Sequence, residues 1–335
     1  MKIANSVTEK LTVPAAIAAL FLAIPAAAQS SAYVDQIGSG NDATINQTGN
    51  GNAVGDVDPD RRARQEGDDN TLSVVQNEGD KVGTGGNYLN NNIGLNQMGN
   101  RNTLTIDQGA AQGQRVFVAQ QVGDDNGASV TQSGNAAVST LSQTGTENSM
   151  LVSQTGAAFQ RNTVGDAGGS RFVASRGAFQ EGDGNLMEIS QGGGGNNDVK
   201  IARQIQQDNI MSVSQSGGLN VFESVEQTGN SNEAQVTQIG TSNGRIANAG
   251  NFTGDAAAVG LVESTVAQTG DFNMVSVMSE GDRNLFAVSQ TGNTNELLGI
   301  QFGNDNEAAV LQSGDNHVAD FNQVGNGNVL AITQN

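Results

Sequence analysis

The chain has 335 residues and carries 34 acidic against 15 basic side chains, a formal net charge of −19 at pH 7. A surface of that sign repels polyanions and counts against nucleic acid as a partner. With no Cys, no Trp and 45 Gly, neither a disulfide-stapled fold nor a conventional aromatic core is available, so order has to come from a repeating pattern.

Taken from the N-terminus, residues 1–28 are expected to be a signal peptide. Lys2 and Lys10 precede the apolar run Leu11 to Pro25, and Ala26, Ala27 and Ala28 supply small residues ahead of Gln29. The run is short, contains Pro14 and Pro25, and has no basic flank behind it, which argues against a membrane anchor. Cleavage removes two Lys and one Glu, leaving 13 basic and 33 acidic residues and a net charge of −20. The mature chain is expected to hold no membrane span. The basic cluster Arg61 to Arg64 reads as a solvated loop.

From Gln36 onward, thirteen pairs of Gln stand eleven residues apart, as at Gln121, Gln132, Gln143 and Gln154. Most units read Q-x-G-x-x-N followed by five residues and the next Gln. In those five the second and fourth are apolar, for example Leu72 and Val74, Leu104 and Ile106, Met187 and Ile189. A period of two means a strand with one face inward, and counting by twos puts the Asn and the Gln on that same face. The segment between Gln and Asn is rich in Gly, Asn, Asp and Ser and reads as a tight turn.

One strand of about five residues cannot bury its own apolar pair. The units must therefore fold back on one another, two to a coil of about 22 residues, and stack. The fold class expected is all-β, a β-solenoid of two-strand coils with two facing parallel sheets. Identical side chains then recur every ~4.8 Å, a spacing at which an amide can both donate to and accept from its own copy. The candidate structural ladder comprises Gln36, Asn41, Gln47, Gln65, Asn70, Gln76, Gln97, Asn102, Gln108, Gln121, Asn126, Gln132, Gln143, Asn148, Gln154, Gln180, Asn185 and Gln191. It resumes with Gln290, Asn295, Gln301, Asn306, Gln312, Gln323, Asn328 and Gln334. An orphaned amide there would cost ~1–3 kcal/mol, so the ladder should enforce register.

The solenoid is expected over 29–335, with insertions near 53–64, 77–90, 155–179 and 244–262 and a further irregular stretch at 110–120. These read as loops bulging from turns or as degenerate coils. Single departures from the motif are Gln206 for Gly, His317 for Asn and Ser279 for Gln.

Repeats of Gln, Gly and Asn at this spacing, on a Cys-free chain with a leader, closely resemble the curlin repeats of curli-type fibre subunits, over most of residues 34–335. The resemblance implies an extracellular functional amyloid that builds fibres for biofilm matrix, cell adhesion and surface attachment. It also implies two partners, a nucleator subunit and an outer-membrane export pore. The chain departs from the familiar small subunits in having more repeats and several insertions. Its last unit (323–335) carries no charged side chain, which favours the fibre body over a nucleator. Self-association by end-to-end β-stacking is expected, with turn and outward Asp and Glu keeping monomers apart during export.

No catalytic, cofactor or metal site is expected. His317 stands in a ladder position without partners for chemistry. The stretch 56–60 (DVDPD) lacks the central Gly and closing Glu of a calcium loop, and the glycine run at 192–198 occurs once where a calcium β-roll needs tandem nonapeptides. A secreted polysaccharide-active solenoid enzyme would want aromatic platforms, and the chain has two Tyr and no Trp. An ice-binding solenoid would need outward Thr rows, which Thr103 and Thr105 do not extend to Ser73 and Val75. A monomeric β-solenoid surface adhesin shares every interior feature and stays as the alternative.

Overall fold

The computed structural model describes residues 18–19, 30–56, 62–77, 79–83, 94–109, 114–156, 161–165, 175–244 and 251–335. They form two compact units, Met1–Ala178 and Phe179–Asn335. Each is a stack of two-strand coils with strands that pair in parallel and in register. In the first unit one column runs Asp42–Gln47, Thr71–Gln76, Thr103–Gln108, Gly127–Ser133, Ser149–Thr155. The facing column holds Val34–Ile37, Ala63–Glu66, Leu95–Met98, Arg115–Val122 and Ala136–Thr144. In the second unit the columns are Leu186–Gly195 through Val318–Val324 and Ile201–Ile205 through Val329–Gln334. Ala18–Ala19 adds a short antiparallel pairing to Asp35–Gln36.

Alternation decides what is inside. In Thr71–Gln76 the residues Leu72, Val74 and Gln76 are buried and their neighbours are not, and Thr103–Gln108 repeats this with Leu104, Ile106 and Gln108. The core is thus narrow, a pair of aliphatics per strand bounded by amides. Parallel register puts each of these directly above its counterpart, as in Gln121 over Gln143 and Val130 over Val152.

The turns are made by two backbone positions. The Gly two residues after Gln takes positive φ, from +85° at Gly134 to +124° at Gly229, and the residue before Asn sits in the left-handed region, as at Asp69, Asp125 and Arg283. Gly123 shows why glycine is favoured there: a Cβ would lie 2.0 Å from the carbonyl oxygen of Gly145 in the next coil, and the one substitute among the described turns, Gln206, takes φ +82° instead. Stacked turns touch through their backbones, so the stacking itself favours glycine.

The insertions do not bulge from turns. In the first unit the chain leaves the sheet in mid-strand, at Gly55, Gly83 and Gly165, all with positive φ, and rejoins the same strand at Ala63, Leu95 and Gly177. In the second it leaves at Gly244 and returns at Ser264, whose hydroxyl donates to the Gly244 carbonyl at 2.8 Å. The reason is that the turn carbonyls and amides are engaged between coils, whereas a strand interrupted after its first inward residue loses only a local pairing. The stretch 110–120, read as irregular, contains the strand Arg115–Val122, in which Val116 pairs with Val138 and Val118 with Thr140. Likewise 155–179 contains the strand Asn162–Val164, and 244–262 contains the helix Gly254–Ala258. That helix docks on the outer face of its own unit: Phe252 and Ala256 pack on Leu285, Ala287 and Ala309, while the Thr253 amide and hydroxyl both donate to the Glu307 carboxylate.

Candidate functional site

The amides form continuous hydrogen-bonded ladders. In the first unit Nε2 of each Gln donates to Oε1 of the Gln one coil further on. One series runs Gln36 to Gln65, Gln97, Gln121 and Gln143 at 2.8–3.0 Å, and the other Gln47 to Gln76, Gln108, Gln132 and Gln154 at 2.9–3.1 Å. In the second unit Gln180, Gln204, Gln227, Gln268, Gln290, Gln312 and Gln334 are linked the same way. So are Gln191, Gln215 and Gln238, and separately Gln301 and Gln323. Most of these Gln also reach across the coil. Nε2 of Gln290 meets the Met274 carbonyl at 3.0 Å and that of Gln312 the Glu296 carbonyl at 3.0 Å, which ties the two sheets together.

The asparagines run the opposite way. Nδ2 of Asn70, Asn102, Asn126 and Asn148 donates to Oδ1 of the Asn one coil earlier, at 3.0–3.1 Å. That same oxygen accepts the backbone N–H of the following Asn, while Nδ2 also reaches the next coil's turn Gly, as Asn70 does to the Gly99 carbonyl at 2.7 Å. The second unit repeats this from Asn185 through Asn209, Asn232, Asn273 and Asn295, and Asn328 donates to Asn306. The spacing Q-x-G-x-x-N is therefore one hydrogen-bonded device. The Gly carbonyl is aimed by positive φ at the preceding coil's Asn, and the Asn oxygen receives the succeeding coil's amide.

Most of the candidate ladder residues are buried; Gln36, Gln47, Asn328 and Gln334 are partly exposed. Several further rungs lie outside the candidate set: Gln204, Gln215, Gln227, Gln238 and Gln268, with Asn209, Asn220, Asn232, Asn243, Asn273 and Asn284. Gln204 with Gln215 and Gln227 with Gln238 are themselves two of the thirteen eleven-residue pairs, and the spacing between them, from Gln215 to Gln227, is twelve because the strands carry one extra residue. In those coils Lys200 and Glu223 sit at the extra position and pair with each other.

Turn side chains make a further ladder that the motif did not announce. Oδ1 of Asp68, Asn100 and Asp124 accepts the backbone N–H of Ser39, Asp68 and Asn100 respectively, at 2.7–2.9 Å. Asp271, Asn293 and Asp315 do the same for Asn230, Asp271 and Asn293. The Ser39 backbone and hydroxyl bonds hold the Asp68 carboxyl below the usual carboxylate range. Arg101 makes a two-pronged ion pair with Asp125 and Arg283 with Asp305, each between adjacent coils, and each lowers its carboxyl partner's pKa. Turn carboxylates thus bond coil to coil as well as carrying charge.

His317 donates its backbone N–H to Asn295 Oδ1, and its ring meets the Ser313 carbonyl at 3.0 Å. Of the stretch 56–60, residues 57–60 lie outside the described residues. Gly192 to Gly195 end the strand Leu186–Gly195, and Asn197 behind them accepts the Asn220 N–H. Arg62 pairs with Asp35 and Arg64 with Glu66. Among the described residues no group of three or more His, Asp or Glu could hold a metal ion, and no helix is long and apolar enough to cross a membrane.

The family model described as the curlin associated repeat matches this chain twice, at residues 123–156 and 303–335. The first match spans the rungs Asn126, Gln132, Gln143, Asn148 and Gln154, the second Asn306, Gln312, Gln323, Asn328 and Gln334. A comparison with curated proteins finds no match.

Proposed function

We propose that this chain, with curlin associated repeats at 123–156 and 303–335, is the body subunit of an extracellular fibre of the curli type, built by coils of one copy stacking on coils of another. The observation that carries the reading is that a rung does not register chain connectivity. Gln227 and Gln268 are 41 residues apart and bond at 2.9 Å, and Gln290 and Gln312 are 22 apart and bond at 2.8 Å. A coil from a second copy offers the same partner at the same height, so the interaction that builds the fold also builds the assembly.

The opposed ladders set its polarity. A coil face that offers Gln Nε2 and Asn Oδ1 complements one that offers Gln Oε1 and Asn Nδ2, so copies stack head to tail with all strands parallel. Such a contact is heterologous and propagates without closing, which gives a fibre. Secretion behind a leader ending near residue 28, a nucleator subunit, an export pore, amyloid character and roles in biofilm matrix and adhesion complete the proposal, on the strength of the repeat. Nothing in the chemistry of the site favours catalysis.

The test is assembly of purified residues 29–335, followed by thioflavin fluorescence, electron microscopy and fibre diffraction. Fibres with reflections at ~4.8 Å and ~10 Å are expected. A chain that stays monomeric and folded at high concentration would instead be a surface adhesin.

A further inference from the structure

One rung of the second unit is interrupted. Parallel register places Ser279 between Gln238 and Gln301, where every other coil of that column described above carries Gln. All three residues are fully buried. Ser279 Oγ and Gln301 Oε1 meet no hydrogen-bond partner on the chain, and Gln238 Nε2, which in its neighbours reaches the next Gln, finds the Val221 carbonyl at 3.4 Å. A donor, a hydroxyl and an acceptor therefore converge on the place where an amide is missing. Leaving such groups unpaired in a core is a cost that native interiors avoid.

The flanking coils do not close over the small residue. The contrast is Ser264, another small buried residue, over which Phe222 and Phe286 come together with ring centroids 5.8 Å apart. Aromatic rings can lean across a layer; Gln238 and Gln301 are held in their own layers by Gln215, by Gln323 at 3.0 Å and by the Leu285 carbonyl at 2.9 Å.

We propose that a single buried water molecule completes this rung, accepting from Gln238 Nε2, donating to Gln301 Oε1 and exchanging a hydrogen bond with Ser279 Oγ. The ligand class follows from the partners. A cation cannot accept the Gln238 proton, and an anion cannot donate to Gln301, whereas water does both, as the missing amide would. Three polar partners are the number that buried waters commonly have, and a bridging water is enthalpically close to a direct bond.

The test compares the full chain with Ser279→Gln and Ser279→Ala, freshly purified and unassembled, by oxygen-17 relaxation dispersion, which counts long-lived internal waters. The wild type is expected to show one more such water than Ser279→Gln, whose side chain takes its place, and the urea midpoint of Ser279→Gln is expected to rise. Ser279→Ala keeps two of the three partners, so its water is expected to persist with a shorter residence time. Equal counts in wild type and Ser279→Gln, or a Ser279→Gln chain that unfolds more easily or fails to fold, would overturn the proposal, because either result means there is no room in the rung. Loss of the signal in Ser279→Ala as well as Ser279→Gln keeps the water and assigns its retention to the hydroxyl.

Discussion

Removing a rung from the middle of a ladder should cost far more than its small side-chain change suggests. Gln290 is buried; it accepts from Gln268 at 3.0 Å, donates to Gln312 at 2.8 Å and reaches the Met274 carbonyl at 3.0 Å. Gln290→Leu keeps the volume nearly constant, so the loss is one of hydrogen bonding. Gln268 Nε2 retains the Glu233 carbonyl at 2.9 Å, but Gln312 Oε1 is left buried without a donor, at about 1–3 kcal/mol, and the bond to Met274 is lost for about 1 kcal/mol more. The expected total is about 2–4 kcal/mol. Read as thermal stability of a unit this size, with roughly 2–4 °C per kcal/mol, it lowers the midpoint by about 4–16 °C. Urea melts of the freshly purified, unassembled chain by far-UV circular dichroism measure it, with hydrogen exchange of amides 287–291 as a local readout. A midpoint unchanged from wild type, with unaltered exchange, would mean that aliphatic packing alone sets the register and that the ladders are passengers.

Gly292→Ala is expected to destabilise the second unit by at least about 2 kcal/mol, since φ is +116° and a Cβ would lie 2.0 Å from the Gly314 carbonyl oxygen. Gly327→Ala, at φ +67° with open space around it, should cost about 1 kcal/mol; equal losses in urea melts would refute the stacking explanation. Arg283→Ala should lower the midpoint less than Gln290→Leu, because the Arg283–Asp305 pair is close to half exposed, and molar salt should erase the Arg283→Ala loss while leaving that of Gln290→Leu. For pH, the folded-state values of Asp68, Asp125 and Asp305 lie below the unfolded 3.8. Their contribution is complete above that value and is lost as pH falls through the lowered ones, so the urea midpoint should hold from pH 7 to 5 and drop towards pH 3. A drop confined to pH 7–5 would contradict the assignment. Fibre growth should accelerate with added salt, as repulsion between copies of net charge −20 is screened; slowing with salt in a thioflavin assay would count against it.

Much of this was written in the residue pattern. Period-two apolar residues name the inward face, and a Gln at every eleventh place implies a rung, because side-chain direction in a strand follows from position alone. The direction of each ladder was not legible, since Asn and Gln carry the same amide. It is set by where the Gly carbonyl and the next backbone N–H fall, and those depend on turn dihedrals. Nor was the exit point of the insertions. Gly55 and Gly83 read like the glycines of turns, and only pairing, of Val54 with Ala32 and of Ala63 with Val34, shows that Val54 and Ala63 belong to one strand. Gln268 escaped because Ser279 stands eleven residues on and a long excursion separates it from Gln238, which shifts the count without disturbing the stack.

The mid-strand exits give the molecule a mounting rail. An excursion that starts and finishes on the same flank is closed at its base, so its length never enters the vertical pitch. Rungs spanning 22, 24, 32 and 41 residues keep bonds within 2.8–3.0 Å. Foreign peptide grafted between Gly55 and Arg62 would be carried on the side of the stack, whereas the same graft at a glycine corner would sever a rung. Decoration and cohesion are thereby assigned to different places on each coil, and one can be varied while the other is kept.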